Sequence, residues 1–256
     1  MKKKYKTGIA LGGGGTRGFA HLGVLQALYE KDIVPDILAG TSVGSIIGVL
    51  IASGKKPREV HNLMKNKKFT DFTSIQIPGN GMFALDGLSE KIMNEISVAN
   101  LEDLNIPSFV TVSNLNKGAV EYHHTGPITT LVMASSSIPI LFSPVEYNGY
   151  QYVDGGLFDN VPTEPLIDKC GNLIAVNVNP VHEVKSLHSL KEVATRTFLL
   201  NVNATISETD RKCDIFLEVP GIDKYEILDA SHADDLFQIG YNYVNGMKIS
   251  FRDQET

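Results

Sequence analysis

Three short stretches carry groups able to do chemistry. The first is GGGGTRG, Gly12–Gly18. A glycine run costs backbone entropy when it is ordered, so something must require it. Bare N–H groups at a helix entry favour negative charge, either a bound phosphate or an oxyanion formed only during a reaction. Gly13, Gly15 and Gly18 also satisfy G-x-G-x-x-G, so dinucleotide binding is a rival reading of the same loop. The second stretch is GTSVG, with Gly40, Ser42 and Gly44 in the pattern G-x-S-x-G. Between a strand and a helix this pattern is a nucleophile elbow: the sharp turn exposes Oγ above the sheet, and the small flanking residues let backbone approach. The plainer alternative is a serine capping the following helix. The third is DGG, Asp154–Gly156, a carboxylate on a turn. Alone it is no more than a common turn dipeptide.

Apolar patterning supplies the elements that must position these groups. Thr7–Leu11 reads as a buried strand leading into the glycines, and Gly18–Glu30 as a helix with Phe19, Leu22, Val24, Leu25 and Leu28 on its apolar face. Asp36–Gly40 is a second strand leading into the Ser42 turn. Ser45–Gly54 is an almost wholly apolar helix, expected to be buried on several sides. Pro57 suits the first turn of the next helix. Further strands are expected at Ser108–Ser113, Ala119–His123, Asn172–Val178 and in DIFLEV (Asp214–Val219), with helices at Pro127–Ser136, Leu187–Ile206 and Asp229–Met247. Strands alternating with helices predict an α/β fold, a mostly parallel central sheet covered on both faces. Phe69–Leu85 mixes aromatics, proline and glycine and reads as a surface cap or insertion. A single domain over residues 1–256 is the simplest organisation.

Composition narrows the function classes. The chain has 256 residues, a net charge of −6 and 43% hydrophobic residues, which argues against a nucleic-acid partner and for an ordinary globular core. Cys170 and Cys213 lack metal-ligand or redox spacing and read as buried apolar residues. The apolar run behind the basic head MKKK is too short for a signal peptide, and no stretch is long enough for a membrane span. The expectation is a cytoplasmic protein. Lys55, Lys56, Arg58, Lys65, Lys67 and Lys68 adjoin Phe69, Phe72, Ile75, Ile77, Met82 and Phe83, a combination suited to peripheral contact with an anionic membrane surface.

Taken in order, GGGGTRG, GTSVG and DGG resemble the patatin-like phospholipase family. AHLGVLQAL after the glycines, ASSSIPILFSPV at Ala134–Val145 and DGGLFDNVP at Asp154–Pro162 resemble further stretches of that family, from about Lys6 to Val178. The resemblance implies a three-layer α/β/α fold and a serine acyl hydrolase working on phospholipid or lysophospholipid esters. It implies a Ser–Asp dyad, with Ser42 as nucleophile and Asp154 as base. Gly13, Gly14 and Gly15 would form the oxyanion hole, with Arg17 at the loop's basic position, and Gly155 and Gly156 would let the turn approach Ser42. Such chemistry needs no metal and no organic cofactor.

Competing candidates remain. His182, His188 and His232 follow Asp154 and satisfy the Ser–acid–His order of a triad, although none lies in a recognisable catalytic loop. His21 reads as a packing or cap residue, and His123-His124 as solvated. Ser135–Ser137 reads as a helix end near the site. Asp159 rivals Asp154 but reads as a loop-positioning residue, with Asn160 tying the loop down. A nucleotide-binding oxidoreductase would need an acidic residue at the end of the second strand. Asp36 begins that strand instead. A non-catalytic lipid-binding protein on the same fold is the third class.

Overall fold

The computed structural model describes residues 3–65, 74–75, 83–84, 94–181, 183–204, 206–227 and 229–251. Strand β1 (Tyr5–Leu11) is followed by α1 (Phe19–Tyr29), β2 (Ile37–Thr41), α2 (Val43–Ala52) and α3 (Pro57–Met64). The short strands β3 (Ser74–Ile75) and β4 (Phe83–Ala84) pair antiparallel. The rest of the expected Phe69–Leu85 cap lies outside the described residues. Then come β5 (Ser108–Asn114), β6 (Ala119–His123), α4 (Ile128–Ser136), β7 (Val145–Tyr147), β8 (Tyr150–Asp154) and β9 (Cys170–Asn177). The chain continues with α5 (Leu190–Val202), α6 (Ile206–Lys212), β10 (Ile215–Glu218) and α7 (Ala233–Asn245).

The main sheet runs β10-β9-β1-β2-β5-β8-β7, with β6 also paired to β5. From β10 to β5 the pairing is parallel, as the alternation of strands and helices predicts. Beyond β5 it turns antiparallel. Short links force this for β5–β6 and β7–β8, because a parallel return needs a crossover. The β7–β8 link is Asn148-Gly149, both at positive φ (49° and 78°), the two-residue hairpin turn that suits twisted strands.

Alternate residues of the central strands enter two cores. Ile9, Leu11, Leu38, Ile174 and Val176 pack beneath α1, α2, α3, α4 and α7. Ala10, Ile37, Ala39, Leu173 and Ala175 pack on the other face with Val161, Leu166, Ile167 and Ile206 of α6. Period-two alternation therefore buries both faces. The second layer is thin, built from the 161–170 segment and α6. Helices α1 and α7 pack backbone to backbone: a Cβ on Gly23 would lie 1.9 Å from Phe237 O, and one on Gly240 2.1 Å from Ala20 O. No helix among the described residues is long and apolar enough to cross a membrane.

Candidate active site

One edge of β5 organises the site. Strand β2 pairs parallel with its first half, ending at Thr41 opposite Thr111. Strand β8 pairs antiparallel with its second half, ending at Asp154 opposite Val112. Because β6 covers Val110–Asn114 on the opposite edge, β2 and β8 must share one edge and run toward each other. Their C-terminal ends meet, bringing Ser42 to Asp154 across a long stretch of sequence.

Ser42 sits at φ 53°, ψ −127°, a sparsely populated conformation for a residue with a side chain. Such strain costs on the order of 1–3 kcal/mol and must be held by the surroundings. The holding contacts are visible. Ser42 N–H donates to Ser135 Oγ at 2.9 Å. Ser42 O accepts Ser45 N–H at 2.8 Å and Ser45 Oγ–H at 2.7 Å. Gly44 lies so close to the first strand's end that a Cβ would come within 2.1 Å of Leu11 O, and a Cβ on Gly40 would meet Gly44 O at 2.4 Å. These approaches explain the small residues flanking the serine.

Asp154 is buried in the cleft it shares with Ser42; its carboxyl group accepts the Gly156 N–H at 2.8 Å, and the Ser42 hydroxyl also favours its ionised form. Loss of water pushes its pKa up to about 7, against the opposing pull of those two donors. A carboxyl poised there takes and returns a proton near neutrality far more readily than one at an ordinary value near 4. Its own N–H donates to Ser137 O at 2.9 Å. Gly155 fits under β5, where a Cβ would lie 2.4 Å from Thr111 O.

The end of α4 thus fastens both Ser42 and Asp154, Ser135 through its hydroxyl and Ser137 through its carbonyl. In the sequence these serines read as an ordinary helix end. Their role comes from non-local contacts that no local pattern encodes.

The glycine loop faces the pair. Gly13, Gly14, Gly15, Ser42, Asp154, Asn160 and Asn179 line a cleft whose apolar wall is Ile138, Phe198, Leu199, Val202 and Ile227. Gly15 has φ +57°, and a Cβ there would lie 2.1 Å from Ile227 O, so no other residue fits. The N–H groups of Gly14 and Gly15 have no hydrogen-bond partner among the described residues. Gly13 departs from expectation: its N–H already donates to Asn160 O at 3.3 Å.

Arg17 also lies away from its expected place in the oxyanion hole. It does not line the cleft; Nε donates to Tyr225 O, Nη2 to Asp223 O and Nη1 to Asn179 Oδ1, at 2.9, 2.9 and 3.0 Å. It ties the glycine loop to the C-terminal segment and steadies Asn179 at the cleft wall. A second support is His21, which lies 2.8 Å by Nε2 from Gly12 O. Burial lowers its pKa to about 4, so at neutral pH it is uncharged and Nε2 carries the proton donated to that carbonyl. The packing role expected of His21 has this specific content.

The remaining candidates lie elsewhere. His188 bonds Ser186, and His232 faces Asp229 and Asp235 on the surface. His182 lies outside the described residues. Asp159 accepts Tyr122 Oη–H at 2.6 Å and is not part of the cleft around Ser42. Asp36 accepts Thr7 N–H at the start of β1, the opposite end of the strand from the glycines, so the dinucleotide geometry is not formed. Cys170 is buried, whereas Cys213 is only partly so, and both are free thiols. In the cationic cluster, Lys55 pairs with Glu95, Lys65 with Asp234, and Arg58 lies 4.2 Å over the Phe237 ring. Lys67, Lys68, Phe69, Phe72, Ile77 and Met82 lie outside the described residues.

Known proteins resemble this chain in sequence and fold. Lysophospholipase NTE1 of Candida albicans is 27% identical over 282 residues, covering 96% of this chain but 20% of that protein. Lysophospholipase NTE1 of Saccharomyces cerevisiae is 27% identical over 271 residues, covering 92% of this chain and 16% of its own length. The chain thus spans a fifth or less of these relatives. Among solved structures, VipD from Legionella pneumophila shares the fold with a TM-score of 0.53 at 16% identity, over 94% of this chain and 66% of that one. The family model described as patatin-like phospholipase matches residues 9–167, from β1 past both Ser42 and Asp154. The chain belongs to the patatin-like phospholipase family.

Proposed function

We propose that this protein is a lipid acyl hydrolase that cleaves carboxylic esters through a Ser42–Asp154 dyad and an acyl-enzyme. One observation carries the reading: Ser42 shares a cleft with a buried carboxyl group whose pKa lies at about 7 and whose ionised form the serine hydroxyl favours, beside two unengaged glycine amides. Ser42 Oγ attacks the ester carbonyl carbon while its proton passes to Asp154. The carbonyl oxygen becomes an oxyanion facing Gly14 and Gly15. The C–O bond then breaks, and the leaving alkoxide takes the proton from Asp154. Water repeats the sequence on the acyl-enzyme: its proton goes to Asp154, the acid is released, and Ser42 is regenerated. Each proton taken is returned, so the cycle closes without a further cofactor.

The apolar wall supports a lipid acyl chain as the group bound beside Ser42. Ile140, two residues beyond lining Ile138, and Leu200, beside lining Leu199, are 66% and 49% exposed apolar side chains. The names of the fungal relatives point to lysophospholipids as the substrates to try first. The test is fatty-acid release from a panel of 1-acyl lysophospholipids by wild type, Ser42→Ala and Asp154→Asn. Wild type should turn over. Ser42→Ala should be inactive, and Asp154→Asn should lose at least about a hundredfold, the scale of general-base catalysis. Undiminished turnover in folded Ser42→Ala would refute the proposal.

A further inference from the structure

The glycine loop offers fewer donors than its sequence suggests, and the residue that engages Gly13 carries a donor of its own. Asn160 is 2% exposed and lines the cleft with Ser42 and Asp154. Its backbone is fixed on both sides. Its carbonyl accepts Gly13 N–H, and the preceding Asp159 holds Thr41 Oγ–H through its carbonyl and Tyr122 Oη–H through its carboxylate. Its side chain is wedged between the two catalytic loops. Oδ1 lies 2.8 Å from where a Cβ on Gly13 would sit and 3.1 Å from the corresponding point on Gly156, as close to that point as Asp154 Oδ1. Yet Nδ2 is buried with no hydrogen-bond partner.

A buried amide N–H group without an acceptor is destabilising and is rare unless something is to be bound there. The two ends of a carboxamide exchange by a half-turn of its terminal torsion. That half-turn moves Nδ2 to the position beside Gly13 and Gly156.

Resting on the Ser–Asp reading above, we infer that Asn160 is a third oxyanion donor: its carboxamide N–H binds the developing negative oxygen on the substrate, in the role that the engaged Gly13 amide has vacated. During attack, negative charge leaves the Asp154 carboxylate, as it accepts the serine proton, and appears on the former carbonyl oxygen. A donor wedged between the glycine loop and Gly156, in the cleft that Asp154 also lines, follows that charge. It therefore stabilises the transition state more than the ground state, the condition for raising kcat.

The experiment measures kcat and KM of Asn160→Ala and Asn160→Asp on a soluble p-nitrophenyl ester. It also measures inhibition by a trifluoromethyl ketone, which adds to serine as an oxyanion, and by the matching methyl ketone, which does not. The expected result is a loss in kcat of about a hundredfold to a thousandfold, the effect of removing one oxyanion donor, with KM within about threefold. The trifluoromethyl ketone should weaken by the same factor and the methyl ketone should not. Asn160→Asp keeps the shape and the backbone bond to Gly13, so it should show the same loss at pH 8 if Asn160→Ala folds poorly. Near-wild-type kcat and unchanged trifluoromethyl ketone inhibition in either folded variant would overturn the inference. Ser42→Ala separates the two levels. If wild-type inhibition does not depend on Ser42, the dyad reading fails and this inference with it. If it does depend on Ser42 but is indifferent to Asn160, this inference alone fails.

Discussion

At the residue scale, the proposed chemistry rests on a carboxyl group kept out of water, with Asp154 as its base. Asp154 must be ionised to accept the serine proton, so kcat/KM should rise with pH through a midpoint near 7 in the free enzyme. The same shift acts on stability. A carboxyl whose folded pKa is raised binds its proton more tightly when folded, so its contribution is present below about pH 4 and is lost as pH rises through 7. Asparagine at 154 does not titrate. Asp154→Asn should therefore gain stability relative to wild type across that window, while losing activity at every pH. Urea denaturation at pH 4.5 and pH 8 checks the sign: a difference that stays flat would mean Asp154 is solvated.

At the element scale, three connections matter: the Ser42 elbow, the end of α4 and the contact of α1 with α7. Ser135→Ala leaves Ser42 N–H without its acceptor, a loss of about 1–3 kcal/mol for a buried donor. Because that bond holds the strained Ser42, the proposed nucleophile, kcat should fall about tenfold or more with little change in KM, and Ser135→Thr should restore much of it. An unchanged kcat in Ser135→Ala would show that the elbow needs no such support. Gly23→Ala and Gly240→Ala should each lower the melting midpoint, at a cost of about 1–3 kcal/mol from overpacking, without touching the dyad. Differential scanning calorimetry reads this directly.

The same scale shows what the sequence made legible. The elbow was readable because one strand, one tight turn and one apolar helix lie within a few residues of each other. The parallel part of the sheet was readable from strands alternating with helices. Strand β8 was not identified, although it delivers Asp154, because YQYVD is half-exposed and too short for a clear period. The Asn148-Gly149 pair just before it is a strong hairpin signal and would have revealed both β7 and β8. One long helix was expected over Leu187–Ile206. The chain instead forms α5, capped by Ser189 Oγ accepting Glu192 N–H, and a separate α6. The parts played by Ser135, Arg17 and Asn160 were out of reach for a different reason. Each acts through contacts with distant segments, which only the sheet topology creates.

At the scale of the whole molecule, the cleft is closed by segments far apart in sequence. The glycine loop comes from the N-terminal end, the D-G-G turn from the middle, and the Asp223–Ile227 segment from near the C-terminal end. Arg17 ties the first to the last with hydrogen bonds to Tyr225 O and Asp223 O, and Thr16 adds bonds to Glu226 O and Ile227 O. Arg17→Met should loosen that closure by about 2 kcal/mol, the scale of charge-assisted hydrogen bonds. Hydrogen exchange at residues 223–227 should speed up before any global unfolding. Arg17→Lys should not restore protection, because one ammonium cannot reproduce the planar fork.

The central claim is that Ser42 forms a covalent intermediate with Asp154 as its base. The most direct test is reaction with a fluorophosphonate followed by intact-mass and peptide-mass analysis of wild type, Ser42→Ala and Asp154→Asn. The account predicts one stoichiometric adduct on the peptide containing Ser42, none in Ser42→Ala, and labelling slowed at least about a hundredfold in Asp154→Asn. Stoichiometric labelling at a residue other than Ser42, or no adduct on folded wild-type protein, would contradict it.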